Sequence, residues 1–129
     1  MKKYLIVFLF FIFISCSDKQ AEHQKDLVRI AEEINQKCPQ MLDSETRLDG
    51  IEVKDPNTLV YHYSLIKLEK KNVDSVQFYR MLWPGIISNI KTSAEMKKLR
   101  ENNTLIEYLY LDKSKDTIYT FRIGPGEYK

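Results

Sequence analysis

Apolar residues fall along this chain in runs whose spacing changes, and each change marks an element. An unbroken apolar stretch from Tyr4 to Ile14 comes first, preceded by Lys2 and Lys3 and followed by Ser15, Cys16, Ser17 and Asp18. From Ser17 to Lys25 no apolar residue larger than Ala occurs, the composition of a polar tether. Leu27, Ile30, Ala31, Ile34 and Cys38 then recur at spacings of three and four, which predicts one helical face, with Asp26 as N-cap and Pro39 as stop. Thr46–Lys54 and Thr58–Leu68 read as strands joined by Asp55-Pro56-Asn57, where Pro presets the turn dihedral and Asn tolerates a left-handed residue. In the second strand Leu59, Tyr61, Tyr63 and Leu65 share one face, and Val60, His62, Ser64 and Ile66 the other. Apolar residues on both faces predict a central position in a sheet.

Val76, Tyr79, Trp83, Ile86, Ile87 and Ile90 return to helical spacing, with Pro84-Gly85 inside the stripe; a proline there predicts a kink or a break. Thr92 followed by Glu95 reads as a capping box opening a short helix that runs out at Asn102-Asn103. Leu105–Leu111 and Thr117–Ile123 predict a last hairpin across residues 112–116, and Gly124-Pro125-Gly126 a terminal turn. The order α-ββ-αα-ββ predicts an α+β fold, a four-stranded antiparallel sheet made of two hairpins with helices packed on one face. The expected organisation is a signal peptide over 1–15, a modified Cys16 and polar tether over 16–25, and a single domain over 26–129.

The leading apolar run reaches about 16 Å as a helix, roughly half the hydrocarbon layer of a membrane, so it fits a secretory signal better than a span. Phe13-Ile14-Ser15-Cys16 resembles the lipobox of bacterial lipoprotein precursors. That resemblance implies cleavage before Cys16, a thioether from its sulfur to diacylglycerol and acylation of its freed amine. Such a group anchors stably, because two acyl chains suffice. Ser17 rather than Asp after the cysteine implies, by the same resemblance, the outer membrane, with the domain facing the periplasm or the cell surface.

Loss of this segment changes the charge of the chain. The full sequence of 129 residues has 20 Lys+Arg against 18 Asp+Glu, a formal net of +2. Removing Lys2 and Lys3 leaves 18 of each sign, and a neutral domain gives no reason to expect nucleic acid as a partner. With Cys16 modified, Cys38 has no cysteine with which to form an intrachain disulfide.

Candidate chemistry is sparse. Two histidines and one free cysteine carry no zinc spacing, and Asp43, Glu45, Asp49, Glu52 and Asp55 lack the alternation of a calcium loop, so neither metal nor cofactor is expected. A thiol hydrolase built on Cys38 with His62 is the enzymatic alternative, although nothing in the spacing joins the two. Tyrosine is the most distinctive residue. Tyr61/Tyr63 and Tyr108/Tyr110 each lie two apart on a strand, so each pair projects to one side, either as core packing or as a platform for a protein, peptide or glycan. Arg47 and Asp49 project from one side of their strand, as an ion pair or a ligand contact.

Cys38-Pro39, Asp43, Thr46-Arg47-Leu48-Asp49, Tyr61-His62-Tyr63 and Asn89-Ile90-Lys91-Thr92 together resemble a set of small uncharacterised bacterial exported proteins, a resemblance that brings no activity with it. The expectation is therefore a lipid-anchored, non-enzymatic envelope protein that binds another envelope protein or a glycan, with Tyr61, Tyr63, Tyr108, Tyr110, Arg47 and Asp49 as candidate contacts. An inhibitor or immunity-type lipoprotein is a variant of that reading.

Overall fold

The computed structural model describes the backbone of residues 15–129 and the side chains from Asp18 onward. The apolar run 4–14, expected to be a secretory signal, and the Cys16 side chain lie outside the described residues. Helix α1 spans Ser15–Asn35, and strands β1 (Gln40–Met41), β2 (Thr46–Lys54) and β3 (Thr58–Leu65) follow. After one 3-10 turn come α2 (Ser75–Thr92), α3 (Lys97–Glu101), β4 (Leu105–Leu111), β5 (Thr117–Ile123) and α4 (Pro125–Tyr128).

The sheet has five strands in the order β1-β2-β3-β4-β5, not four, and it is mixed rather than antiparallel. Both expected hairpins, β2–β3 and β4–β5, form, but β3 and β4 run parallel with Tyr61 beside Tyr108 and Tyr63 beside Tyr110. The cause is the connection between them. Residues 66–104 carry α2 and α3 back along the sheet, so β4 enters at the end where β3 entered, and only a long crossover can do this. The two-residue β1 pairs with Leu48 and Arg47 and is too short to show as a period in sequence.

One face of the sheet carries Leu48, Ile51, Leu59, Tyr61, Ile106, Tyr108, Phe121 and Ile123, which are buried with Leu27 and Ala31 of α1, Phe78, Ile86 and Ile90 of α2 and Leu99 of α3. The opposite face exposes Glu52, Thr120 and Arg122, but Val60 at its centre is buried, in keeping with a central β3 that carries apolar residues on both faces.

Several helix limits differ from those predicted. α1 does not begin at Asp26; residues 17–25 are helical too, and Asp26 binds Arg29 and Lys98 instead of capping. His23 explains part of this extension, since its Nε2 meets Asn57 Oδ1 at 2.7 Å and Thr104 Oγ1 at 3.1 Å and ties the first turns to the body. The helix ends at Asn35, so Cys38 lies in the turn beyond it. Pro84 does not split the second helix into two elements: α2 is continuous, capped by Asp74 accepting from Val76 and Gln77 N–H. Pro84 is on the solvent side, where the Arg80 carbonyl it cannot bond is free to be hydrated. Thr92 caps nothing; its hydroxyl donates to the Ser88 carbonyl inside α2, and α3 opens at Met96. The terminal turn is a short helix whose Tyr128 is buried and donates to the Thr104 carbonyl at 2.8 Å.

Candidate functional site

Two hollows matter, one on each side of the sheet. The first is a groove of about 500 Å³ between α2 and the loop after β1. Its floor is Tyr63, Tyr108 and Tyr110, α2 contributes Met81 and Ile86 to one wall, and Leu42 lies on the other. The parallel β3–β4 register builds the floor, because it turns two separate i, i+2 tyrosine pairs into a two-by-two block. Tyr63 and Tyr110 stack at 4.9 Å, Tyr61 meets Tyr108 edge-on at 5.0 Å, and Phe78 stands edge-on to Tyr110 at 5.3 Å. Burial pushes all four phenols above their ordinary pKa, Tyr61 and Tyr110 to about 12, so they are neutral hydrogen-bonding groups across the physiological range.

This placement differs from an exposed tyrosine platform. Tyr61, Tyr108 and Tyr110 are buried on the helix-covered side and Tyr63 is half-buried; the groove reaches Tyr63, Tyr108 and Tyr110, whereas Tyr61 packs behind them and does not line it. Its mouth is conspicuously apolar, with Leu42 52% and Met81 68% exposed. Its polar rim is acidic. Asp43 accepts from the N–H groups of Glu45 and Thr46, both at 2.8 Å, and these bonds hold its carboxyl below the usual range; Glu45 stands exposed beside it. Leu42 and Met81 carried no signal in the sequence, since both sit outside the apolar stripes.

The second hollow, of about 520 Å³, is on the polar face and includes Arg47, Asp49, Glu52, His62 and Ser64. Arg47 Nε donates to Asp49 Oδ1 at 2.5 Å, and Ser64 donates to the other Asp49 oxygen. Arg47 and Asp49 are thus an ion pair on the face opposite the tyrosines, and the sequence-predicted contacts split into two groups. The Ser64, His62 and Asp49 trio is not wired for nucleophilic catalysis. A serine nucleophile needs the imidazole as its base, whereas the Ser64 proton points to a carboxylate and His62 Nε2 faces Glu52 at 3.1 Å.

Cys38 is half-buried beside the core. Burial raises its thiol pKa, and the nearby negative charge of Asp49 raises it further, the reverse of what an activated thiolate requires. Among the described residues no three His, Cys, Asp or Glu side chains converge as a metal site, and no helix is long and apolar enough to cross a membrane.

The fold has solved counterparts. A pilotin from the type 2 secretion system of Vibrio vulnificus superposes with a TM-score of 0.70 at 9% identity, over 88% of this chain and 97% of that one. A Pseudomonas aeruginosa chain described as a candidate secreted protein superposes with a TM-score of 0.67 at 17% identity, over 86% of this chain and 96% of that one. At such identities the likeness is one of fold. No curated protein matches the sequence at a significant level. A family model does, across residues 21–120, most of the chain and all of the sheet up to the middle of β5: the protein belongs to DUF8479, a domain of unknown function.

Proposed function

We propose that this protein is a lipid-anchored, non-enzymatic component of a bacterial envelope that holds a protein partner in the groove beside α2, as a component comparable to a secretion-system pilotin. The observation that carries the reading is the groove itself. Its mouth exposes Leu42 and Met81, its floor offers neutral tyrosines, and its rim carries Asp43 and Glu45. An apolar hollow with a few polar groups suits a short amphipathic segment, apolar residues inward and a basic residue on the acidic rim. The pilotin likeness supports this assignment at the level of fold, and the lipobox-like Phe13-Ile14-Ser15-Cys16 supports the anchor. The raised thiol pKa of Cys38 speaks against the hydrolase alternative.

Gly85 makes the proposal testable without disturbing the core. It lines the groove, and a Cβ added there meets nothing within 4 Å. With a photo-cross-linking residue at position 81, the parent chain in living cells should trap one envelope protein. Gly85→Trp should abolish that adduct while leaving the melting temperature unchanged or raised. Equal trapping by the parent chain and Gly85→Trp would remove the groove from consideration. Cys16→Ala should release the protein from the membrane fraction, and failure of labelled palmitate to enter the parent chain would overturn the anchor.

A further inference from the structure

The two borders of the sheet are finished differently. On the β2 side, β1 covers Leu48 and Arg47, and beyond it the Asn35 carboxamide takes both the N–H and the C=O of Ile51, at 2.7 and 2.8 Å. On the other side β5 is the last strand. Among the described residues, no group outside the β4–β5 ladder hydrogen-bonds to the main chain of residues 117–123. A strand edge left this way is a template for another strand.

Edges that must stay single are usually blunted by lysine, proline, an inward charge or a bulge that twists the strand away. The run Thr117-Ile118-Tyr119-Thr120-Phe121-Arg122-Ile123 has neither lysine nor proline, and Arg122 is held across β4 by Glu107 at 3.1 Å. A bulge at the start of β5 leaves Tyr119–Ile123 as its regular part. Half-buried rings line that part: Tyr79 and Trp83 of α2 stack at 5.4 Å, and both pack on Phe121, which lies 4.6 Å from Tyr119.

We propose that this edge pairs with β5 of a second copy of the chain, antiparallel about a two-fold axis near Thr120, making one continuous sheet from two. The residue order is self-complementary in this arrangement. Thr120 meets Thr120 on the polar face, and on the helix side Tyr119 of each copy stands opposite position 121 of the other, where the Phe121 ring is buried and the half-buried Tyr79 and Trp83 that cover it offer the contact. Lys115, without an ion pair among the described residues, falls opposite Pro125 of the other copy, at the N-terminus of the short α4 whose Glu127 is exposed and accepts from Gly124 N–H. No charged side chain faces its own symmetry mate. An unrelated strand would need only the free edge; a second copy also brings its own half-buried Tyr119, Tyr79 and Trp83 to the same border and sets no like charges face to face, which favours it as the occupant.

The experiment uses the full chain in intact cells. Thr120 is exposed, so Thr120→Cys in a Cys38→Ser background should give a disulfide-linked dimer on mild oxidation, while Lys97→Cys in the same background, exposed on α3, should not. The unsubstituted chain, extracted in detergent, should sediment at twice the protein mass of a single chain, and Thr120→Lys should return it to one. A single-chain mass for the unsubstituted protein overturns the proposal. So does equal cross-linking from positions 97 and 120, which reports collision, or a dimer that survives Thr120→Lys, which places the contact elsewhere.

Discussion

At the scale of single residues, the structure rests on a few side chains that take over backbone bonds. Asp112 is buried at the start of the β4–β5 turn, where its carboxylate accepts from the N–H groups of Lys70, Ser114 and Asp116 at 2.8–2.9 Å. Its pKa is lowered below the ordinary value, chiefly by the Lys70 N–H bond. A carboxyl depressed in the folded state contributes stability that is present above its unfolded value near 4 and lost as pH falls through the folded value. The parent chain should therefore lose melting temperature below about pH 4. Asp112→Asn, which turns a donor toward N–H groups, should melt lower at pH 7 and show a smaller fall on acidification. Gly50 is a second such position, because a Cβ there would stand 3.0 Å from the Asn35 Oδ1 that accepts from Ile51. Gly50→Ala should cost about 1 kcal/mol by urea unfolding, and less in an Asn35→Ala background, where the clamp is already gone. Cys38 should resist iodoacetamide at pH 7 until the protein is denatured, as its raised thiol pKa requires.

At the scale of elements, α1 and α2 carry the informative departures. Residues 17–25 carry no apolar side chain larger than Ala, the composition of a tether, yet they are helical. A helix can nonetheless be held by polar bonds, and His23 on Asn57 and Thr104 shows how. A chain beginning at Asp26 should be less stable than one beginning at Asp18 by about 1–2 kcal/mol, the worth of one or two such bonds, measured by denaturant unfolding. In α2, Pro84 and Gly85 both lie on the exposed side, so neither breaks the helix. Gly85→Ala should raise stability by about 0.5–1 kcal/mol through reduced freedom of the unfolded chain.

At the scale of the whole molecule, one sheet presents two unlike surfaces. The helix-covered side carries the tyrosine-floored groove, and the polar side carries the Arg47–Asp49 pair with Ser64. A partner bound in the groove should protect backbone amides of α2 and the β1–β2 loop from hydrogen exchange and leave those around Arg47 and Arg122 unchanged; the opposite pattern would assign the contact to the polar face.

The sequence by itself determined what short-range chemistry determines: the α+β class, the two hairpins from their turn residues, and which tyrosines share a strand face. Tertiary structure decided the rest. Whether β3 and β4 run parallel depends on the path of residues 66–104, and no local period encodes a path. That single choice makes two tyrosine pairs into one block, puts the block under α2, and separates it from Arg47 and Asp49. The groove has the same origin. Leu42 and Met81 look like stray surface residues along the chain and become a mouth only when a loop and a helix 39 positions apart meet over the sheet.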